Sequence, residues 1–387
     1  MKFRVERDVL ADAVAWTARS LPARPSVPVL AGLLLETGAR GLVLSSFDYE
    51  VSARVEARAE VADEGKALVS GRLLADISRN LPDQPVDVAT DGSKVVLTCG
   101  SARFSLATLP VDEYPTLPQL PPVAGTVQGE LFATAVAQTA VAAGRDDTLP
   151  LLTGVRMEID NDKVTLAATD RYRLAIRELR WHPEQPDLTT VALVPARTLA
   201  ETAKALAADG DVTIALSSGG VGDGLIGFEA EGRRTTTRLL DGEFVKYRSL
   251  LPTETNSVAT IERNAFIEAV KRVALVAERN TPVRLAFSEG EVVLEAGSGD
   301  DAQASEALPA SLDGEDIAIA FNPTFLLDGL NALETTSARL HFTTTTKPAV
   351  LTGASADPDG KEETEGAAGS LHDAEYRYLI MPVRLSG

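Results

Sequence analysis

Apolar residues at helical spacing open the chain, and the same opening returns twice. Leu10, Ala13 and Val14 recur as Phe132, Ala135 and Val136, then as Phe266, Ala269 and Val270, with offsets of 122 and 134. A second pattern follows each copy: a short apolar strand, a two-residue break and a helix. It reads VSGRLLADISRNL from Val69, VPARTLAETAKAL from Val194 and FNPTFLLDGLNAL from Phe321. Leu74, Leu199 and Leu326 superpose, as do Leu81, Leu206 and Leu333, with offsets of 125 and 127. Solenoid repeats run to about 20–50 residues. These units are far longer, so each can own a core, and the chain reads as three similar domains in tandem.

Within a unit the hydrophobic period alternates between strand and helix. Val29–Leu35, Leu42–Ser46, Val155–Ile159 and Val164–Ala168 read as strands, with TGARG and DNDK as hairpin turns. Phe132–Ala143 and Phe266–Ala277 carry apolar residues at helical spacing. Two helices and several antiparallel strands per domain, without strict alternation, predict an α+β class. Proline marks the boundaries. TLPVDEYPTLPQLPP (108–122) is matched by RLLDGEFVKYRSLLP (238–252), each an extended connector with a Leu-Pro exit. The expected domains are 1–124, 125–253 and 254–387. The acidic stretch SADPDGKEETEGAAGS (355–370) is too poor in apolar groups to order itself and reads as a flexible loop.

Composition adds limits. Of 387 residues, 44% are hydrophobic and 5% aromatic, which predicts globular cores rich in aliphatic groups. The run Leu131 to Gly144 is too short to span a bilayer, and the N-terminus has no apolar signal region. No membrane partner and a cytoplasmic location are expected. Cys99, the one cysteine, lies in an alternating strand and reads as a buried apolar residue. The net charge of −19 divides as −3 for 1–124, −4 for 125–253 and −12 for 254–387. That balance disfavours non-specific nucleic-acid binding, although it does not say which face holds the positive groups.

Catalytic signatures are sparse. Gly222, Gly224 and Gly227 fit G-x-G-x-x-G, but strand-like residues follow where a dinucleotide site needs a helix. His182 lies in the second expected domain and His341 and His372 in the third, none with a ligand-spaced partner, so no metal and no cofactor are expected. Asp160 and Asp162 flank Asn161 in a hairpin turn. A hydrolase built on Asp170 and a histidine, and a monomeric adaptor, are the rival readings. What remains are surfaces. In TDRYRLAIREL (169–179), Leu174, Ile176 and Leu179 against Arg173, Arg177 and Arg180 suggest a strand with one apolar face, and Asp170 matches Asp48. The tail Leu379-Ile380-Met381-Pro382-Val383-Arg384-Leu385 reads as a final core strand, part of which Pro382 leaves as an open edge.

The chain resembles the bacterial sliding clamps, the β subunit of the replicative DNA polymerase III. The resemblance rests on MKFRVERDVLADAV, RPSVPVLAGLLLE, LLTGVRME, TDRYRLA, DGEFVKYRSLLP and YLIMPVRL, in that order, over nearly the whole chain. It implies three clamp domains and a head-to-tail homodimer forming a six-domain ring around duplex DNA. Such a protein has no catalytic residue. It holds the replicative polymerase, the clamp loader and repair proteins through a peptide carrying glutamine followed by Leu and Phe-like groups.

By the same resemblance the peptide cleft uses Leu152, Thr169, Arg171, Tyr172, Arg173 and Leu174. Val245, Ser249 and Leu250 come from the second exit, Leu379, Met381, Pro382, Val383 and Arg384 from the tail, and Pro348 is a further member. Aliphatic groups converge, with arginines at the rim. Enterobacterial clamps usually have glycine and histidine at Arg171 and Tyr172, and differ also at Val245 and Ser249. DNA-facing positions are Arg24, Arg72, Arg79, Arg197, Lys204, Lys271 and Arg272. The implied dimer interface holds Arg103, Phe104 and Leu106 of an edge strand, with Leu275 and Val276.

Overall fold

The repeated strand-to-helix signature forms in all three copies. The computed structural model describes residues 1–208, 210–217, 224–277, 281–297, 302–354 and 374–384. Its helices are α1 Arg7–Ala18, α2 Gly71–Asn80, α3 Gly129–Ala140, α4 Ala196–Leu206, α5 Arg263–Val273 and α6 Pro323–Ala332, two in each third of the chain. The expected two-residue break is absent. Strand Gly65–Ser70 runs directly into α2 and Thr189–Pro195 into α4, while Asn322 alone separates Ile317–Phe321 from α6. There the Asn322 side chain accepts from the N–H groups of Thr324 and Phe325, and Pro323 fills the first helical position.

Three other spans are corrected. Pro28–Ala31 is a 3-10 turn and the strand begins at Gly32, because proline fits the first position of a turn and lacks a strand donor. Helices α3 and α5 stop at Ala140 and Val273, short of Ala143 and Ala277. Ala142 and Ala143 are still buried beyond the helix end, which is why the apolar pattern overshoots. Cys99 is fully buried, as expected. The strand Leu225–Ala230 holds Gly227 and is followed by the strand Arg233–Arg238, so no phosphate-binding helix follows; Gly222 lies outside the described residues. His372 and the loop 355–370 also lie outside them.

Contacts divide the chain into two compact units that cut across the tandem thirds. One holds 1–130, 182–186 and 201–239; the other holds 131–181, 187–200 and 240–384 among the described residues. The reason is strand pairing between successive repeats. In the first unit Val51–Ala57 pairs antiparallel with Arg233–Arg238, Val55 opposite Arg233 and Val51 opposite Thr237, within a fourteen-stranded sheet. In the second, Arg173–Arg180 pairs with Tyr376–Ile380, Arg173 opposite Ile380 and Arg177 opposite Tyr376, within a nine-stranded sheet. Val51 and Arg173 are related by the same offset of 122, so the two junctions are one arrangement repeated. A separate four-stranded sheet in the second unit ends at Ala304–Pro309.

The junctions are packed differently. In the first, the hydroxyls of Ser52 and Thr236 meet at 2.5 Å in the interior. The guanidinium groups of Arg19 and Arg233 lie over the ring of Trp16 in α1, 5.7 and 5.6 Å from its centre. In the second, Leu174, Ile176, Val350, Leu379, Phe244 and Tyr247 share one apolar cluster. Helix α6 comes close to Tyr376–Ile380 at Gly329, where a Cβ would lie 2.5 Å from the Tyr378 ring.

Candidate functional site

The turn before Arg173–Arg180 is built by its own side chains. Asp170 Oδ1 accepts from the N–H groups of Tyr172 and Arg173 at 3.0 and 3.2 Å, and Thr169 Oγ1 donates to the Arg173 carbonyl at 2.6 Å. Asp48 caps the matching turn of the first repeat through Glu50 and Val51 at 3.0 and 2.7 Å. The Asp48–Asp170 match is thus explained by backbone satisfaction. Arg171 and its counterpart Tyr49 both take left-handed backbone, φ +80° and +78°, a conformation that suits glycine far better. The turn holds Tyr172 out, 56% exposed, while Thr169 is buried.

Arg173 does not stand at a rim. Its guanidinium is buried, donates to Asp170 at 3.0 Å and to the Tyr378 hydroxyl at 3.3 Å, ion-pairs with Asp328 of α6, and lies 4.4 Å over the Phe325 ring. Burial works against its charge, but Tyr378 and the two carboxylates outweigh that and hold it charged above its usual range. The strand it opens is covered on both faces: Arg173, Leu174, Ala175 and Ile176 are all buried, so the expected single apolar face is corrected. The apolar cluster around Phe244 and Tyr247 covers Leu174 and Ile176, and α6 covers Arg173 on the other face.

The tail is also divided. Leu379 and Ile380 are core residues of a central strand, and the chain leaves the sheet at Met381. Met381 N–H donates to the Tyr172 carbonyl at 2.9 Å and Val383 N–H to the Ala320 carbonyl at 2.8 Å. The expected open edge is therefore a coil rather than a strand edge. Met381 and Val383 are 39% and 36% exposed, Pro382 half-buried and Arg384 exposed; Leu385 lies outside the described residues. Facing solvent from the second exit are Val245, Ser249 and Leu250, around a 3-10 turn Tyr247–Leu250 whose Phe244 and Tyr247 are sunk in the shared cluster with Leu174 and Leu379. Leu152 lies half-buried in the 3-10 turn Pro150–Thr153, and Pro348 half-buried just before the strand Ala349–Ala354. Buried anchors in the cluster thus carry exposed chain neighbours: Tyr172, Val245, Leu250 and Met381.

Of the basic positions, Arg72 and Arg79 lie seven apart on α2, and Arg197 and Lys204 seven apart on α4, so each pair shares a helix face. The two pairs are related by the offset of 125. Arg72 donates to the carbonyls of Pro22 and Ala23, beside exposed Arg24. Arg79 pairs with Asp76, Lys271 with Glu268 and Arg272 with Glu306, so part of this positive charge is locally neutralised. Phe104 is 38% and Leu275 84% exposed, Arg103 is exposed and Val276 half-buried. Leu106 is buried in its own core, although it lies two residues from Phe104 on the same face of the strand.

Family models of the DNA polymerase III beta subunit match the chain in three successive parts: the N-terminal domain over residues 1–118, the central domain over 126–246 and the C-terminal domain over 248–361. The chain belongs to the DNA polymerase III beta subunit family. It is 64% identical over 387 residues to the beta sliding clamp of Streptomyces coelicolor, covering 100% of both chains. It is 56% identical over 313 residues to that of Micrococcus luteus, 81% of this chain and 100% of the relative. Solved sliding clamps of Bacillus subtilis and Pseudomonas aeruginosa, the latter bound to griselimycin, superpose with TM-scores of 0.88 and 0.89 at 25% and 26% identity, covering 100% of each chain. The function carried by this family is that of the replicative sliding clamp, a non-catalytic processivity subunit whose partners are DNA and the polymerase.

Three residues around this exposed surface escape a reading of the sequence. Phe325 stacks on Tyr172 with ring centres 6.1 Å apart and underlies Arg173, yet in sequence it is one more apolar residue of a helix. Asp328 interrupts the apolar run of α6, a usable signal, but only the fold brings it to Arg173. Glu158 accepts from Tyr247, Arg248 and Arg156, yet in sequence it is one polar residue of an alternating strand.

Proposed function

We propose that in the cytoplasm two copies of this chain join head to tail into a ring that encircles duplex DNA. Tyr172, Val245, Ser249, Leu250, Met381, Pro382, Val383 and Arg384, with Leu152, Arg171 and Pro348 at their margins, receive a short peptide from the polymerase, the clamp loader or a repair protein. Thr169, Arg173, Leu174 and Leu379 act from beneath, as supports. Domain boundaries near 124 and 253 belong to the same reading. The observation that carries the dimer is the repeated junction. Two of its copies are filled within the chain, Val51–Ala57 on Arg233–Arg238 and Arg173–Arg180 on Tyr376–Ile380. Among the described residues, Ala304–Pro309 has a neighbour on one side only, and so has the 102–107 part of Ala102–Leu109. These strands hold the corresponding places in the repeat, so a second copy would complete the third junction.

The ring tethers by topology, and contacts of Arg24, Arg72, Arg79, Arg197, Lys204, Lys271 and Arg272 to phosphate would carry no sequence information. A peptide held at the site raises its owner's effective concentration on DNA. The mass in solution should be twice 40.9 kDa, and charge substitutions at Phe104 and Leu275 should give monomers. Loaded on nicked circular DNA the protein should stay, and after linearisation it should run off the ends. A mass of one chain, or equal retention on both DNA forms, would remove the ring.

A further inference from the structure

Glu158 occupies the repeat position of Glu36, at the offset of 122, and the two carboxylates are used differently. In the first copy Lys66 lies directly across the strand pair from Glu36 and forms an ion pair with it. The first exit has Leu117 and Pro118 at the positions that the second fills with Tyr247 and Arg248. In the second copy the residue across from Glu158 is Val191, which offers no charge. Glu158 is consequently taken up by the exit. Tyr247 Oη donates to its Oε2 at 2.9 Å, Arg248 ion-pairs with the same oxygen, and Arg156 Nε donates to Oε1 at 2.6 Å. The Arg248 guanidinium also lies 4.9 Å over the Tyr247 ring. The carboxylate side chain is only 12% exposed.

We infer that Glu158 is a positioning residue for the peptide site: it fixes the 3-10 turn Tyr247–Leu250, and through it the outward placement of Ser249 and Leu250. This rests on the peptide-binding reading above. Three of the turn's four side chains are exposed, and besides the buried Tyr247 ring its local holds include Ser249 Oγ and N–H donating to the Lys246 carbonyl at 2.7 and 3.2 Å, none of which fixes Arg248. Charge-assisted hydrogen bonds from two successive residues to one carboxylate set both its height and its rotation. The lysine present in the first copy would compete for that carboxylate, and its replacement by valine is what leaves Glu158 available.

The test titrates a labelled peptide carrying glutamine followed by leucine and phenylalanine against the full-length dimer. Glu158→Gln and Val191→Lys should each weaken binding about tenfold, the size expected for losing a charged hydrogen bond. The double variant should be no weaker than the stronger single, since both act on one group. Val191 is an exposed strand position, so that variant keeps its fold, and Glu36→Gln should leave affinity unchanged. Full affinity in Glu158→Gln and Val191→Lys, with Leu250→Asp unable to bind, overturns the positioning role and leaves the site standing. A lowered melting temperature with full affinity at saturation does the same, because it marks a purely structural carboxylate. Full affinity in Leu250→Asp overturns the site itself.

Discussion

At the first junction Leu120 packs against the bare Gly227 of its own unit, where a Cβ would meet its Cδ1 at 2.3 Å. At the second junction its counterpart in the repeat, Leu250, is 49% exposed. Other pairs diverge in the same way. The Tyr114 hydroxyl accepts the Phe47 N–H at 2.8 Å and ties the first exit back to the turn after Phe47, and burial pushes that hydroxyl up to about 12. The second exit is tied instead to Glu158 of the strand Gly154–Asp160, and so it stands its aliphatic side chains in solvent. The strand pairing is the same in both places. A sheet junction by itself is therefore no binding site; the connector that follows decides whether apolar surface is closed or offered.

The largest expected effect separates support from surface. Leu174→Asp puts a charge in the buried cluster and should cost roughly 4 kcal/mol or more of stability. Leu250→Asp should change stability by less than about 0.5 kcal/mol. Urea unfolding of both reads the difference, and similar losses would erase the distinction between anchor and exposed neighbour. A smaller effect comes from acid. Burial raises the carboxyls of Glu158 and Glu178, but Arg248, Arg156 and Tyr247 on the first, and Lys163 and Arg377 on the second, outweigh it and hold both below the ordinary 4.5. Unfolding returns them to that value, so the unfolded chain binds more protons there. The stabilisation is present above 4.5 and disappears as pH falls through the folded values. Protection of Arg173–Arg180 against hydrogen exchange, relative to the intrinsic rate at each pH, should fall below that pH, and Glu158→Gln should reduce the dependence. The smallest effect lies in the first junction. Ser52→Ala leaves Thr236 without its partner and should cost about 1–2 kcal/mol, while adding Thr236→Val should cost little more. Full additivity would show that the 2.5 Å hydroxyl pair contributes nothing as a pair.

Much of this was legible beforehand because repetition is a strong signal. The six helices among the described residues, the strand-to-helix signature and the equivalence of Asp48 with Asp170 all follow from residues recurring at fixed offsets. Burial was less legible where a polar residue is satisfied by distant partners. Arg173 reads as a surface arginine until Asp328 and Phe325 arrive from α6, in the last third of the chain. Leu379 and Met381 are near neighbours in the chain with similar hydropathy, yet one is core and the other exposed, because the sheet ends between them. Glu36 and Glu158 look identical in the repeat. Only the cross-strand neighbours, Lys66 against Val191, tell them apart, and reading those requires the register.

The central claim is that the second junction, and not the first, receives client peptides. Titrating the same labelled peptide against Leu250→Asp and Tyr49→Asp tests it most directly, since Tyr49 is the exposed aromatic of the first junction, 48% accessible. Burial of two apolar peptide side chains is worth roughly 3–6 kcal/mol before ordering costs, so a charge in their place should weaken binding by about a hundredfold. The expected result is that loss in Leu250→Asp and unchanged affinity in Tyr49→Asp, both as intact dimers. Unchanged affinity in Leu250→Asp, or an equal loss in Tyr49→Asp, would contradict it.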